Sequence, residues 1–229
     1  TIFAQNGIIA RSAKIYNQGK DDVHLTTAMS LCLDLPDCDY EWLQFSGTWS
    51  RERHLKVRKL EQGITAINST RGHSSHEHNP FIILKRPTTD ENKGEAIGFS
   101  LIYSGNFLAQ AEVDTHDVTR VLMGINPTTF DWKLEPNTSF QTPEAVMIYT
   151  DDGLNNLSQS FHKLFQKRLA RGYWRDKARP ILINNWELLN FDFNEDKLVT
   201  IASKAKECGV ELFVLDDGWF GKRTSDYAD

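Results

Sequence analysis

The chain has 229 residues, of which 40% are hydrophobic and 25% charged, with a formal net charge of -5. That length allows one large domain or two, with enough apolar side chain for a substantial core. The mild negative charge gives no drive toward nucleic acid or an anionic membrane, and no apolar run reaches the roughly eighteen residues that span a bilayer, so the expected partner is a small molecule.

Residues 1–150 read as antiparallel β structure. Val23, Leu25, Thr27, Met29, Leu31 and Leu33 alternate with His24, Thr26, Ala28, Ser30, Cys32 and Asp34, the period of a strand whose two faces meet different surroundings. Further strands are expected at Trp42 to Phe45, His54 to Leu60, Phe81 to Leu84, Ala96 to Tyr103, Phe107 to Val113, Thr119 to Gly124 and Ala145 to Tyr149. Gln62-Gly63, Asn79-Pro80, Arg86-Pro87, Asn92-Lys93-Gly94 and Ser104-Gly105-Asn106 punctuate them, since Gly, Pro and Asn supply turn backbone. Many short strands with regular breaks predict a sandwich.

Two polar clusters fall inside this region. Arg51, Glu52 and Arg53 beside Trp49 suit an ion-pair ladder or a domain contact. His73, His76 and His78 lie close enough in sequence to converge on zinc. In a strand His76 and His78 share a face while His73 lies opposite, so the alternative is a polar loop with histidines hydrogen-bonded to backbone, and no metal is expected.

A helix follows. Asp151 or Asp152 is placed to cap it, and Leu154, Leu157, Phe161, Leu164, Phe165 and Leu169 share one face. Lys163, Lys167, Arg168 and Arg171 favour its C-terminal half electrostatically, and Gly172 ends it. Residues 151–179 are therefore expected to connect two domains, the helix docking one against the other.

From Pro180 the pattern changes. Pro180 to Ile183 is a continuous apolar run of the kind buried on both faces of a parallel sheet, and it discharges into Asn184-Asn185-Trp186-Glu187. Asn194 is a plausible N-cap for a helix carrying Leu198, Ile201, Ala202, Ala205 and Cys208 on its apolar face, with Gly209 as its stop. A second apolar run, Val210 to Leu215, leads into Asp216-Asp217-Gly218-Trp219. Strand, helix, strand is the start of a barrel whose site faces the C-terminal ends of its strands. Parallel neighbours lie about 4.8 Å apart, which would make Trp186 and Asp216 neighbours.

An indole face beside carboxylates suits a sugar. The ring packs on the apolar face of a pyranose, and carboxylate oxygens accept from its hydroxyls. The alternative is that Trp186 fills the rim while Asp216 and Asp217 cap a helix or bind Arg223. A retaining glycosidase needs two carboxyl groups about 5 to 5.5 Å apart across the scissile bond. Consecutive side chains on extended backbone point opposite ways, so this pair suits a hydroxyl clamp better than an acid and nucleophile. No third ligand at fixed spacing supports a metal.

Several strings, in order, resemble the α-galactosidases of glycoside hydrolase family 36. They are Gly47-Thr48-Trp49-Ser50-Arg51-Glu52-Arg53, Ser74-Ser75-His76-Glu77-His78-Asn79-Pro80-Phe81, Gly98-Phe99-Ser100-Leu101-Ile102-Tyr103-Ser104-Gly105-Asn106-Phe107, Gly124-Ile125-Asn126-Pro127, Asn184-Asn185-Trp186-Glu187, and Leu215-Asp216-Asp217-Gly218-Trp219-Phe220-Gly221-Lys222-Arg223. The resemblance implies a multidomain fold: an antiparallel β-sandwich (supersandwich) over residues 1–150, then the truncated beginning of a catalytic (β/α)8 TIM barrel over residues 180–229. It implies a retaining hydrolase that releases terminal α-linked galactose from melibiose, raffinose and stachyose, without metal or cofactor. Trp186, Asp216 and Asp217 would bind substrate. The family's nucleophile and acid/base are aspartates on later barrel strands, so no residue of this chain is expected to be catalytic. Tetrameric assembly is also implied.

The ends fit a fragment: Thr1 opens without Met or a signal-like segment, and the stretch from Pro180 to Asp229 is short for a barrel of eight units and about 250 residues. Cys32, Cys38 and Cys208 form no disulfide framework, Cys208 being expected to pack, and the cytoplasm is the default location. Alternatives are a related α-N-acetylgalactosaminidase, a galactosyltransferase like the raffinose synthases, or a noncatalytic carbohydrate-binding or assembly module.

Overall fold

The computed structural model describes residues 1–4 and 7–228. It divides into two compact units, Thr1–Phe165 and Gln166–Asp229. In the first unit the strands are, in order, β1 (Ile2–Phe3), β2 (Ile8–Arg11), β3 (Lys14–Tyr16), β4 (Val23–Leu25), β5 (Met29–Leu35), β6 (Glu41–Thr48), β7 (Arg51–Lys59), β8 (Gly63–Asn68), β9 (His78–Lys85), β10 (Ala96–Ile102), β11 (Phe107–Val113), β12 (Thr119–Ile125), β13 (Trp132–Leu134), β14 (Ser139–Gln141) and β15 (Glu144–Thr150), followed by helix α1 (Gly153–Leu164). A seven-stranded sheet, β1-β2-β15-β10-β9-β6-β7, faces a four-stranded sheet, β5-β12-β11-β8, and two ribbons, β13-β4 and β14-β3, flank them.

The sandwich interior follows from period-two alternation. Trp42, Ile82, Leu84, Ile97, Phe99 and Leu101 of the larger sheet pack against Leu31, Ile67, Phe107, Val121 and Met123 of the smaller one. The intervening residues of the larger sheet, among them Leu43, Ile83, Val146 and Ile148, form a second core with Leu157, Phe161 and Leu164 of α1. The seven-stranded sheet is thus buried on both faces at its centre, and β10 has no exposed residue.

The expected amphipathic helix is present, but its start and end differ. No Asp152 side-chain cap forms. Instead the Leu154 and Asn155 N–H groups donate to the carbonyls of Asp90 and Glu91, 3.0 and 2.9 Å, so a neighbouring loop supplies the acceptors that the helix start requires. The α-helix stops at Leu164 and the chain continues as a π-helical turn, Phe165–Leu169. The single alternating segment expected over Val23 to Leu33 is two strands. β4 pairs with β13 and β5 with β12. The ladder of β12 shifts register between Met123 and Gly124, and the Ala28 carbonyl accepts from Ile125 N–H at 3.3 Å where the two parts separate.

Arg86 ties down the crossover from β5 to β6. Its guanidinium holds both carboxylate oxygens of Asp37, 2.5 and 3.1 Å, donates from Nε to Glu95 at 2.9 Å, and lies 4.0 Å over the Tyr40 ring. Thr119, fully buried, donates its hydroxyl to the Asp37 carbonyl at 2.8 Å. Burial pushes the Tyr40 phenol up to about 12. Hydrogen bonds from Arg86, helped by the Asp39 N–H, hold the Asp37 carboxyl below its usual range against the opposing effect of burial.

The second unit contains β16 (Leu182–Asn184), a single helical turn α2 (Trp186–Leu189), α3 (Glu195–Glu207) and β17 (Leu212–Val214). β16 and β17 are parallel, and this two-stranded sheet closes no barrel. α3 starts as expected, the Asn194 side chain accepting from Lys197 N–H at 3.0 Å. Two expectations fail. Ile181 and Leu182, expected to be buried on both sides, are exposed, because one helix and two strands cannot enclose both faces of a sheet. Cys208, expected to pack, forms the exposed end of α3, and Ala205 carries the buried position.

Two predictions test the first unit. Phe161→Ala, which empties the contact between α1 and the sheet, is expected to destabilise the unit by about 3–5 kcal/mol in chemical denaturation. A carboxyl depressed in the folded state contributes fully above its unfolded pKa of about 4, and the contribution drains away as pH falls through the folded value. Arg86→Ala should therefore lower stability at neutral pH and flatten the decline below about pH 4. An acid limb of unchanged slope would rule out the Asp37 linkage.

Candidate functional site

The site begins with register. Asn184 sits opposite Val214 in the parallel ladder, so Trp186 and Asp216 each stand two residues beyond a matched pair. Asn184 bridges the Trp186 backbone and the Asp216 carboxylate, and Asn185 holds the Asp216 backbone. Asn184 Oδ1 accepts from Trp186 N–H at 2.8 Å, while its Nδ2 donates to Asp216 Oδ2. Asn185 Oδ1 accepts from Asp216 N–H at 2.8 Å.

Asp216 and Asp217 have different partners. Asp216 Oδ1 accepts from Asp217 N–H at 2.8 Å. Asp217 is held by Arg223, whose Nε lies 2.8 and 2.9 Å from its two oxygens, and it also accepts from Gly218 N–H at 2.7 Å. The Arg223 contact raised as an alternative is therefore real. A carboxylate offers about four acceptor positions, so the ion pair leaves some capacity for a hydroxyl. Both aspartates are half-buried, as is Trp186. Phe191 meets the Trp186 ring edge to face at 4.8 Å and lies 5.9 Å from the Arg223 guanidinium carbon. The ring, the cation and the two carboxylates form one connected rim.

Asn184, Asn185 and Phe191 belong to this rim, yet the sequence pattern assigned them no role. Two amides directly after an apolar strand were the available signal. Asn185 is 0% exposed, and its Nδ2 has no partner among the described residues. A buried unmet donor costs about 1–3 kcal/mol, so this residue is a poor choice for stability alone.

The histidine cluster behaves differently. Among the described residues no three His, Cys, Asp or Glu side chains are grouped to hold a metal ion. His78 ends a buried polar chain: Trp42 Nε1 donates to Gln44 Oε1 at 2.8 Å, Gln44 Nε2 to Ser46 Oγ at 2.7 Å, and Ser46 Oγ lies 2.9 Å from His78 Nδ1. Burial pushes the His78 imidazole below its ordinary pKa, which favours the neutral ring. His73 contributes its carbonyl, which accepts from Ser69 Oγ at 2.5 Å. No helix among the described residues is long and apolar enough to cross a membrane.

Family models match both parts of the chain: the glycosyl hydrolase family 36 N-terminal domain over residues 1–135, and melibiase over residues 139–229. The chain belongs to glycosyl hydrolase family 36. Within that family it is 54% identical over 226 residues to alpha-galactosidase AgaA of Geobacillus stearothermophilus, covering 99% of this chain and 31% of that protein. The alpha-galactosidase of Lactobacillus brevis has a solved structure that superposes with a TM-score of 0.96 at 50% identity, covering 98% of this chain and 30% of that one. Variants of AgaA solved in complex with raffinose and with stachyose each superpose with a TM-score of 0.93 at 54% identity, covering 96% of this chain and 31% of theirs. The chain spans about 31% of the length of the curated relatives it matches. The sandwich and the first strands after it are therefore family 36 architecture, in a segment under a third as long as those relatives.

Gly218 gives a local test. Its φ is +90°, and an added Cβ would stand 3.1 Å from Phe191 Cδ1 and 3.3 Å from the Arg223 carbonyl. Gly218→Ala is expected to cost about 1–2 kcal/mol through the backbone alone. Hydrogen exchange of residues 216–223 should quicken, while that of the sandwich strands stays unchanged.

Proposed function

We propose that this chain is part of a retaining α-galactosidase that releases terminal α-linked galactose from melibiose, raffinose and stachyose, and that Trp186, Asp216 and Asp217 hold the non-reducing sugar. The observation that carries this reading is that one side chain, Asn184, bonds to both the Trp186 backbone N–H and the Asp216 carboxylate, holding the Trp186 backbone and an acidic acceptor at the same strand ends. It is supported by 54% identity to an alpha-galactosidase and by relatives that bind raffinose and stachyose. The indole packs against the apolar face of the hexose, and the aspartates accept from its hydroxyls.

In this reading neither aspartate performs the chemistry. Double displacement needs two carboxyl groups across the scissile bond, about 5 to 5.5 Å apart. Asp216 and Asp217 are adjacent in sequence, and their oxygens are engaged by Asn184 and Arg223. By the family likeness, the nucleophile and the acid/base are aspartates on later barrel strands, and the reaction uses neither metal nor cofactor. A cytoplasmic homo-oligomer, tetrameric by family likeness, completes the proposal.

Turnover of melibiose, raffinose and stachyose by the full-length protein tests the substrate class. Preference for an α-N-acetylgalactosaminide, or transfer of galactose to a sugar acceptor in place of water, would replace it. In that protein Asp216→Ala is expected to reduce kcat/KM about 10- to 100-fold, the equivalent of a charge-assisted hydrogen bond of about 1.5–3 kcal/mol. Wild-type turnover by the variant would refute the clamp.

A further inference from the structure

We propose that Asn184 is a positioning residue for the sugar clamp, one amide fixing the Asp216 carboxylate and the Trp186 backbone in a single geometry; this rests on the clamp reading above. The orientation of the amide is determined by its partners. Trp186 N–H can only donate, so it selects Oδ1, at 2.8 Å. Nδ2 is thereby left for Asp216 Oδ2, a carboxylate oxygen that accepts. Reversing the amide would set donor against donor and acceptor against acceptor.

Asp216 is fixed from two other directions, once at its carboxylate and once at its backbone. Its Oδ1 accepts from Asp217 N–H, and the Asp216 N–H is held by Asn185 Oδ1, each at 2.8 Å. Of about four acceptor positions on a carboxylate, two are thus used internally and about two remain for hydroxyls. The Asn184 contact is the one that crosses from β16 to the side chain beyond β17, so it sets the carboxylate relative to Trp186. Without it Asp216 regains rotamers that do not face the sugar, and misplacement by a fraction of an ångström weakens a bidentate grip. The nearby ionisable groups are Asp217 and Arg223, which pair with each other and leave Asn184 as the cross-strand donor to Asp216.

The test is a double-mutant cycle in the full-length protein, read with p-nitrophenyl α-galactoside. Asn184→Ala is expected to raise KM about 10-fold, the loss of a charge-assisted contact, and to change kcat less. Combined with Asp216→Asn it should add less than about 2-fold, since a residue acting through Asp216 has nothing left to position. Asn184→Asp is nearly isosteric and keeps the acceptor for Trp186, so it guards against misfolding of the alanine variant. Like charge beside Asp216 should make its KM at least as high. Multiplicative losses in the cycle, or a wild-type KM for Asn184→Asp, would overturn the positioning role. If Asp216→Asn itself turns over like wild type, the clamp reading fails instead, and the two failures are distinguished.

Discussion

One parallel register, three residues long, governs the second unit. Asn184 stands beside Val214, and from that pairing the chain has only two residues on each strand in which to bring an indole and a carboxylate level. A slip of one residue would move each side chain to the other face of its strand. So short a ladder specifies register weakly by itself. The two asparagine side chains add cross-strand contacts just beyond it, one to the Asp216 carboxylate and one to the Asp216 backbone. Specificity of alignment here comes from side-chain amides at the end of the strands as much as from apolar packing between them.

The first unit solves a different problem. Its seven-stranded sheet carries apolar residues on both faces, and two separate covers, the four-stranded sheet and α1, remove them from water. The arrangement makes β10 the most enclosed strand. Polar groups inside the unit are paired in sets: Arg86 with Asp37, Glu95 and Tyr40, and Gln44 with Trp42, Arg58 and Ser46. Pairing of this kind is what lets these charged groups sit next to a dry core.

Long strands with clear alternation were legible from sequence. Phe107–Val113 matches its expected bounds, and the other six expected ladders differ by a few residues at their ends. Some strands of two to four residues, such as Ile2–Phe3 and Ser139–Gln141, were not, because so few positions express no period. Gly63–Asn68 was missed because its apolar residues are too sparse. Alternation also continued through Ala28, where the chain changes partners, since composition reports faces and not which strand lies alongside. Cys208 shows the same limit at a helix end: heptad-like spacing put it on the apolar face, but the helix had already finished. For the proposed site, Trp186, Asp216 and Asp217 stand out in the sequence as residue types at strand ends. The Asn184 and Asn185 contacts depend on side-chain direction across two strands, which spacing does not encode.

Gly98 carries a further consequence. It is the floor of the groove in which the Phe161 ring rests, since a Cβ there would stand 2.5 Å from Phe161 Cε2 and 3.2 Å from Leu157 Cδ2. The strand and the helix thus share a fixed volume, and size on one side excludes size on the other. Relatives that carry a larger residue at the strand position should carry a smaller one at the helix position, or hold the helix farther from the sheet.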